Sequence, residues 1–343
     1  MKYIEKTSKL IKDYFKILSP DYPKWLDEYI NTDRMQKQKY ISVTCGKIYS
    51  KLFDYNDYTS LDHSIAVALI IWNFTHDKKQ TLSGLFHDIA TPAFKHCIDF
   101  LNGDYMNQES TEELTKILIE ESKDIMSLLK RDNIKIEEVC DYHIYPIADN
   151  DTPMLSADRL EYSLSNDLIV FKTNTLENIK EIYNNIEVQT NENGITELGF
   201  KTKKYAREFV KNTSRLSICY RDDATRFYMQ ALADILKKVS YDGLITKKDL
   251  YELKESEIIN IIKKSKYKEV FEILINSEKV NISKIEPNVY YVNHGAKVRY
   301  IDPLFNGKRI SKECKIADNI IKKNLSYKMD NYVFIDDRLN ILK

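Results

Sequence analysis

The chain has 343 residues, with 52 Lys and Arg against 52 Asp and Glu. That balance excludes a global field drawing it to nucleic acid or an anionic membrane, so charged partners are left to local pockets. Five dispersed cysteines without a C-x-x-C pair exclude a disulfide framework and read as reduced thiols.

The N-terminal residues lack the apolar core of a signal peptide, and the longest apolar run, residues 65–72, is too short to span a bilayer, so a cytoplasmic protein is expected. Only eight Gly and seven Pro, with Leu, Ile, Lys and Glu abundant, predict a mainly α chain. Residues 1–30 read as a helix and a turn at Pro20 and Pro23, and 34–53 carry a further helical pattern. Thr59 and Asp62 form a capping box before a helix over 60–74, with His63 in its first turn. The next helix is expected to end near Ala90, because Pro92 disfavours helical geometry at Thr91. Thr91 as cap and Pro92 as first residue predict a short third helix through Phe100. Asn107 or Ser110 caps a helix to about Ser122, and 136–142 give one or two more turns before His143. The turn residues of 148–153 deliver a helix from Leu155. Alternating runs around Asn191-Glu-Asn-Gly194 predict a hairpin over 186–200, and long helices follow at 202–218 and 222–238. Beyond 282, a second hairpin over 290–301 (containing His294), a helix near 311–324 and a strand at 332–335 make a small mixed α/β appendage. The expected division is therefore 1–240, a helical metal-binding domain, and 241–343, the appendage.

The chemistry concentrates at His87-Asp88, which stands among Leu85, Phe86 and Ile89. Two ionisable groups are costly to bury there without partners. A capped helix end with a hydrogen-bonded histidine would satisfy them, and so would a divalent cation. If three helices pack side by side, His63, His87, Asp88 and Asp158 converge on one point. Two imidazoles and two carboxylates suit Mn, Fe, Co, Ni or Zn, and less well Mg. Such an ion would have open positions for water and substrate.

The order His63…His87-Asp88…Asp158 resembles the HD-domain superfamily of metal-dependent phosphohydrolases. Arg34-Met-Gln-Lys-Gln-Lys-Tyr40, Leu61-Asp-His-Ser64, Gly84-Leu-Phe-His-Asp88, Phe94-Lys-His96 and Ala157-Asp-Arg-Leu-Glu-Tyr162 follow in the order of its deoxynucleoside triphosphate triphosphohydrolase-like branch, over roughly residues 30–240. The resemblance implies an HD-domain helical core with His63, His87, Asp88 and Asp158 as metal ligands. It implies that His96 and Asp99 face the substrate phosphates, with His96 the leading proton donor, and that Glu109 orients the attacking water. Arg159 and Tyr162 match phosphate-contacting positions. Read from the residues alone, Arg159 equally suits pairing with Glu161 or Asp158, and Tyr162 suits core packing. His143 could hold a second metal ion, serve the leaving group, or be a structural hydrogen-bonder. Arg221, Arg226 and Tyr228 stand on a helix whose counterpart in the family borders the pocket, and Lys297, Arg299 and Lys308 lie in the appendage.

Three departures bear on the substrate. Ser60 replaces an arginine of the family, Gln108 a histidine, and Ser165-Asn166 an Arg-Asp pair. Gln108 cannot transfer a proton near neutral pH, so that general-acid role is either absent or taken by His96, and Gln108, like His143, is counted among the expected substrate-binding residues. The expectation is a phosphohydrolase acting on a small phosphate ester or anhydride, a nucleotide in character, with no membrane or specific nucleic-acid partner. A nucleotidase or cyclic-nucleotide phosphodiesterase with a binuclear site, and a non-catalytic nucleotide-binding regulator, are the alternatives. Homo-oligomers are common in the family, although no stretch here specifies an interface.

Overall fold

The computed structural model describes residues 3–106 and 114–343. It is mainly α-helical, with a small mixed sheet. Thr59 opens the helix Ser60–Thr75: its hydroxyl accepts from the Asp62 N–H at 3.1 Å, while the Asp62 carboxylate accepts from the Thr59 N–H at 3.2 Å. Both halves of the expected capping box are present. Ile65 through Ile71 are wholly buried, so this helix is an axis of the core and not a surface helix with one apolar stripe. Among the described residues, no helix is long and apolar enough to cross a membrane.

The helix Lys78–Phe86 packs against it, and Gly84 sets how closely. A Cβ at Gly84 would stand 2.2 Å from Ile71 Cδ1 and 3.3 Å from Val67 Cγ1. Ile71 has no room to yield inside the core. Gly84→Ala is therefore expected to cost about 1–3 kcal/mol, the usual range for overpacking, as read from urea unfolding. An unchanged midpoint would show that the helices part freely.

The remaining elements position the loops around the site. The helix Ala157–Ser165 starts where the Ala157 N–H bonds the Ile147 carbonyl at 2.8 Å. It continues into a π-helical turn, Asn166–Val170. A four-stranded sheet braces it. Ile186–Thr190 pairs antiparallel with Thr196–Phe200, the expected hairpin. Leu304–Phe305 runs parallel to the latter and turns back into Lys308–Arg309. Arg309 grips the fully buried Glu197 through two N–H···O bonds of 2.8 Å, a fork-to-fork geometry. The long helices Lys203–Cys219 and Asp223–Tyr241 fall where expected. Buried apolar side chains form two clusters. One holds most buried apolar side chains between Ile11 and Val210, with Ile301, Ile310, Ala317 and Ile321; the other holds Cys45, those of 93–100 and most of the rest from Phe227 on.

Several sequence expectations are corrected. The helix over 34–53 is interrupted after Tyr40: Ile41 is extended, Ser42 bridges to Thr59, and Cys45 and Gly46 have positive φ. The β-branched and hydroxyl-bearing residues 41–44 bond locally instead, Ser42 Oγ with Thr44 Oγ1 at 2.9 Å. The second helix ends at Phe86, because Ile89 N–H bonds the Phe86 carbonyl and tightens the chain. The third begins only at Cys97, since Phe94 (φ +65°) and Lys95 (φ +44°) lie in the left-handed region. Residues 290–301 form no hairpin; Val292 bridges Val333, and Tyr332–Phe334 pairs instead with Asn281–Ser283. His294 is half-buried there, its ring stacked 4.3 Å from that of Tyr105. The helices Lys123–Arg131 and Leu176–Asn184 were not foreseen.

Candidate metal centre

His63 enters the site from the first turn of its helix, and Glu161 sets its ring. The Glu161 carboxylate is fully buried, one turn after Asp158 on the same helix. It accepts from His63 Nδ1, from Tyr58 OH at 2.8 Å, from Tyr14 OH at 3.3 Å and from Ser165 Oγ at 3.2 Å. His87, at the end of its helix, donates Nδ1–H to the Gly84 carbonyl at 2.7 Å. With Nδ1–H committed in each ring, Nε2 is the atom left to ligate an ion once it gives up any proton, and a histidine bonded this way is presented as a metal ligand.

The two Nε2 atoms face each other at 3.2 Å. Asp158 Oδ1 stands 3.2 Å from His63 Nε2 and 3.7 Å from His87 Nε2, and Asp88 Oδ2 stands 3.8 Å from both. Four electron-rich atoms thus crowd one small space. Ligands about 2.1 Å from a common ion sit about 3.0–3.4 Å apart in octahedral or tetrahedral arrangement, close to the spacings found. The cluster His63, His87 and Asp88 could hold a metal ion, and Asp158 lies within reach of it. Burial opposes charge on His63, but Glu161 and Asp158 outweigh it and push the imidazole up to about 10. Burial likewise opposes the Asp158 carboxylate, yet the His63 bond holds it down at about 2. An ion on His63 Nε2 would displace a proton.

The chain compares with known proteins as follows. No family profile matches it. It is 23% identical over 275 residues to the uncharacterized protein YdhJ of Bacillus subtilis (strain 168), covering 77% of this chain and 79% of that one. The crystal structure of a hypothetical protein from Aquifex aeolicus superposes with a TM-score of 0.57 at 16% identity, over 93% of this chain and 94% of the other. The likeness shows a shared fold.

The cluster opens into a cavity of about 650 Å³, within the usual range for small-ligand sites. Lys95 was not singled out in the sequence. Its left-handed backbone turns its ammonium onto Asp88 Oδ2 at 2.5 Å, and although burial opposes both charges, each partner keeps the other ionised. His96 lines the cavity, and Asp99, fully buried, accepts from its Nδ1 at 2.8 Å. Asp99 thus orients His96 from behind, and Nε2 is left as the ring atom for proton transfer. Arg159 lines the cavity too, but pairs with neither Glu161 nor Asp158. Its Nη1 donates to Asn150 Oδ1 at 2.6 Å and to the Met154 carbonyl, and its Nη2 lies 3.7 Å from Asp149. Tyr162 borders the same space, its phenol pushed up to about 12 by burial. His143 is exposed at the rim, between Asp141 (2.9 Å) and Asp149 (3.4 Å), apart from the four-residue cluster. Gln108 and Glu109 lie outside the described residues. Asn166, at one of the departures, donates to Tyr220 OH at 2.9 Å on the cavity wall, where Lys297 and Arg299 also stand. Arg221, Arg226 and Tyr228 do not line it; they bond the Asn324, His294 and Gly46 carbonyls.

The turn carrying Lys95 is held from the C-terminal side. The buried Glu255 carboxylate accepts from the Phe94 N–H at 3.1 Å, the Ser42 N–H at 3.3 Å and Tyr49 OH at 2.9 Å. Burial raises it from 4.5 to about 7. A carboxyl raised on folding binds its proton more tightly in the folded state, so its contribution is fully present below pH 4.5 and lost as pH rises through 7. Glu255→Gln keeps the shape and removes the charge. Urea unfolding of wild type and variant is expected to diverge by about 3 kcal/mol between pH 4.5 and 8, in the variant's favour at high pH. Parallel curves would contradict this.

Proposed function

We propose that the protein is a metal-dependent phosphohydrolase of the HD type. The observation that carries the reading is the convergence of His63 Nε2, His87 Nε2, Asp88 Oδ2 and Asp158 Oδ1 at the floor of a ligand-sized cavity. A divalent ion held there supplies a Lewis acid that activates water and neutralises a phosphate oxygen. Manganese, iron, cobalt, nickel and zinc suit the mixed nitrogen and oxygen donors better than magnesium.

The chain's own residues do the rest. Glu161 and the Gly84 carbonyl fix both imidazoles before any ligand arrives, so little reorganisation is needed. Lys95 fixes Asp88. His96, aligned by Asp99, stands on the wall as the proton donor to a leaving alkoxide. Arg159, half-committed to Asn150 and Asp149, and Tyr162 supply donors for phosphate oxygens. The substrate class is a phosphate ester or anhydride, with nucleotides the first to test.

The test is a panel of nucleoside mono-, di- and triphosphates and simple phosphate esters, each with Mn, Fe, Co, Ni, Zn and Mg. Phosphate or pyrophosphate release that needs one of these ions and falls at least about tenfold in His96→Ala supports the reading. Metal-independent release, or none with any substrate, contradicts it.

A further inference from the structure

One cation of the cavity wall has no part in the chemistry above. Gly46, at φ +78°, turns the chain into the short 3₁₀ turn Lys47–Tyr49. A Cβ there would meet Leu232 Cδ2 at 2.9 Å and Phe94 Cδ1 at 3.0 Å, so backbone conformation and space both call for glycine. Lys47 is thereby packed to 6% exposure, yet lines the cavity. Its ammonium stands 5.7 Å from the ring centroids of Phe53 and Tyr55. Among the described residues it has neither an ion pair nor a hydrogen-bond acceptor. Its surroundings are firm: Phe53 packs edge-on against Tyr228, Tyr55 against Phe171, and Tyr228 OH donates to the Gly46 carbonyl at 2.7 Å.

The carboxylates around the cavity make their close contacts elsewhere. Asp222, which Lys47 favours in its charged form from a distance, accepts from the Thr225 N–H at 2.8 Å, Asp88 binds Lys95, Asp158 binds His63, and Asp149 lies between His143 and Arg159. Lys47 therefore keeps its N–H donors at the cavity wall, with two aromatic faces and the more distant Asp222 carboxylate in return. A buried ammonium with no anion in contact is destabilising, and replacement by an apolar side chain would relieve it. An anion entering the cavity would satisfy both the charge and the donors.

We propose that Lys47 anchors a second anion subsite, so that the cavity takes substrates with two anionic groups, a phosphate ester at the metal centre and a second phosphate or a carboxylate at Lys47. The first group rests on the phosphohydrolase reading; the second rests on Lys47 alone.

The test is calorimetric titration of the full chain with phosphate monoesters of linear alkanediols, four to eight carbons long, ending in hydroxyl, carboxylate or a second phosphate. Each is run with Mn²⁺ and with EDTA. On the wild type, a carboxylate or phosphate end is expected to bind at least tenfold tighter than the hydroxyl end at one or more chain lengths. The preferred end identifies the second group. Lys47→Met is expected to erase the gain, to leave the hydroxyl-ended ester within twofold, and to melt no lower than wild type; Lys47→Arg is expected to retain it. No gain at any length, a gain that survives Lys47→Met, or a Lys47→Met chain that misfolds or melts clearly lower overturns the inference. If the metal reading alone fails, the Lys47-dependent gain persists in EDTA while no affinity responds to Mn²⁺ or to Asp158→Asn. If the Lys47 inference alone fails, the Mn²⁺ response persists without the gain.

Discussion

Asp158→Ala is expected, on the proposed phosphohydrolase reading, to lower turnover by about a thousandfold while leaving the fold intact. Asp158 Oδ1 is the carboxylate oxygen nearest both imidazole nitrogens, at 3.2 and 3.7 Å, so its loss opens the ligand set on the side where the histidines meet. Several kcal/mol of transition-state stabilisation come from a bound ion, and each 1.36 kcal/mol is a factor of ten in rate. Folding should survive, because Ser156 and not Asp158 caps the helix, and the lost contact with His63 is partly offset by relief of the repulsion with Asp88. Asp158→Asn separates charge from shape and is expected to behave like the alanine variant. Activity and circular dichroism on the same samples decide the matter: full turnover in a folded Asp158→Ala chain would refute the assignment.

Glu161 should give the opposite signature, with stability lost first. Its carboxylate is fully buried and takes bonds from His63, Tyr58, Tyr14 and Ser165. Glu161→Ala leaves four donors facing an apolar hole, and breaking such a buried network typically costs 3–5 kcal/mol. Glu161→Gln keeps the volume but puts an N–H₂ where one oxygen accepted from two donors, so two donors lose their partner and the network that sets the His63 ring is weakened. Losing the carboxylate that orients a metal-ligating histidine weakens metal binding about 10–100-fold. Urea unfolding of the alanine variant and metal titration of the glutamine variant check the two halves. A Glu161→Ala chain as stable as wild type would show that the network contributes nothing.

Reading the sequence in this way has identifiable limits. The capping box of Thr59 and Asp62, the hairpin around Gly194 and the long helices after Lys203 were legible because each rests on neighbours in sequence. The approach of His63, His87, Asp88 and Asp158 was anticipated from their order within resembling motifs; spacing alone left it open. Glu161 was in view only as a partner for Arg159. Its distance of one helical turn from Asp158 was the available signal, but its burial depends on Tyr14 and Tyr58 arriving from far upstream. Lys95 was missed because its reach to Asp88 requires two consecutive left-handed residues, Phe94 and Lys95, which nothing local favours; Glu255, more than 150 positions away, helps hold that turn. The hairpin over 290–301 failed for the converse reason, since Val292 finds its partner in the distant Val333.

The central claim is that these four side chains bind one divalent ion, and metal content measures it most directly. Purified full-length protein would be stripped with EDTA, offered Mn, Fe, Co, Ni, Zn and Mg in turn, freed of unbound ion and analysed by mass spectrometry beside Asp158→Ala. The account predicts about one ion per wild-type chain for at least one of the metals, and a large loss in the variant. A wild-type chain that retains none of the six, or a variant that retains as much, would contradict it.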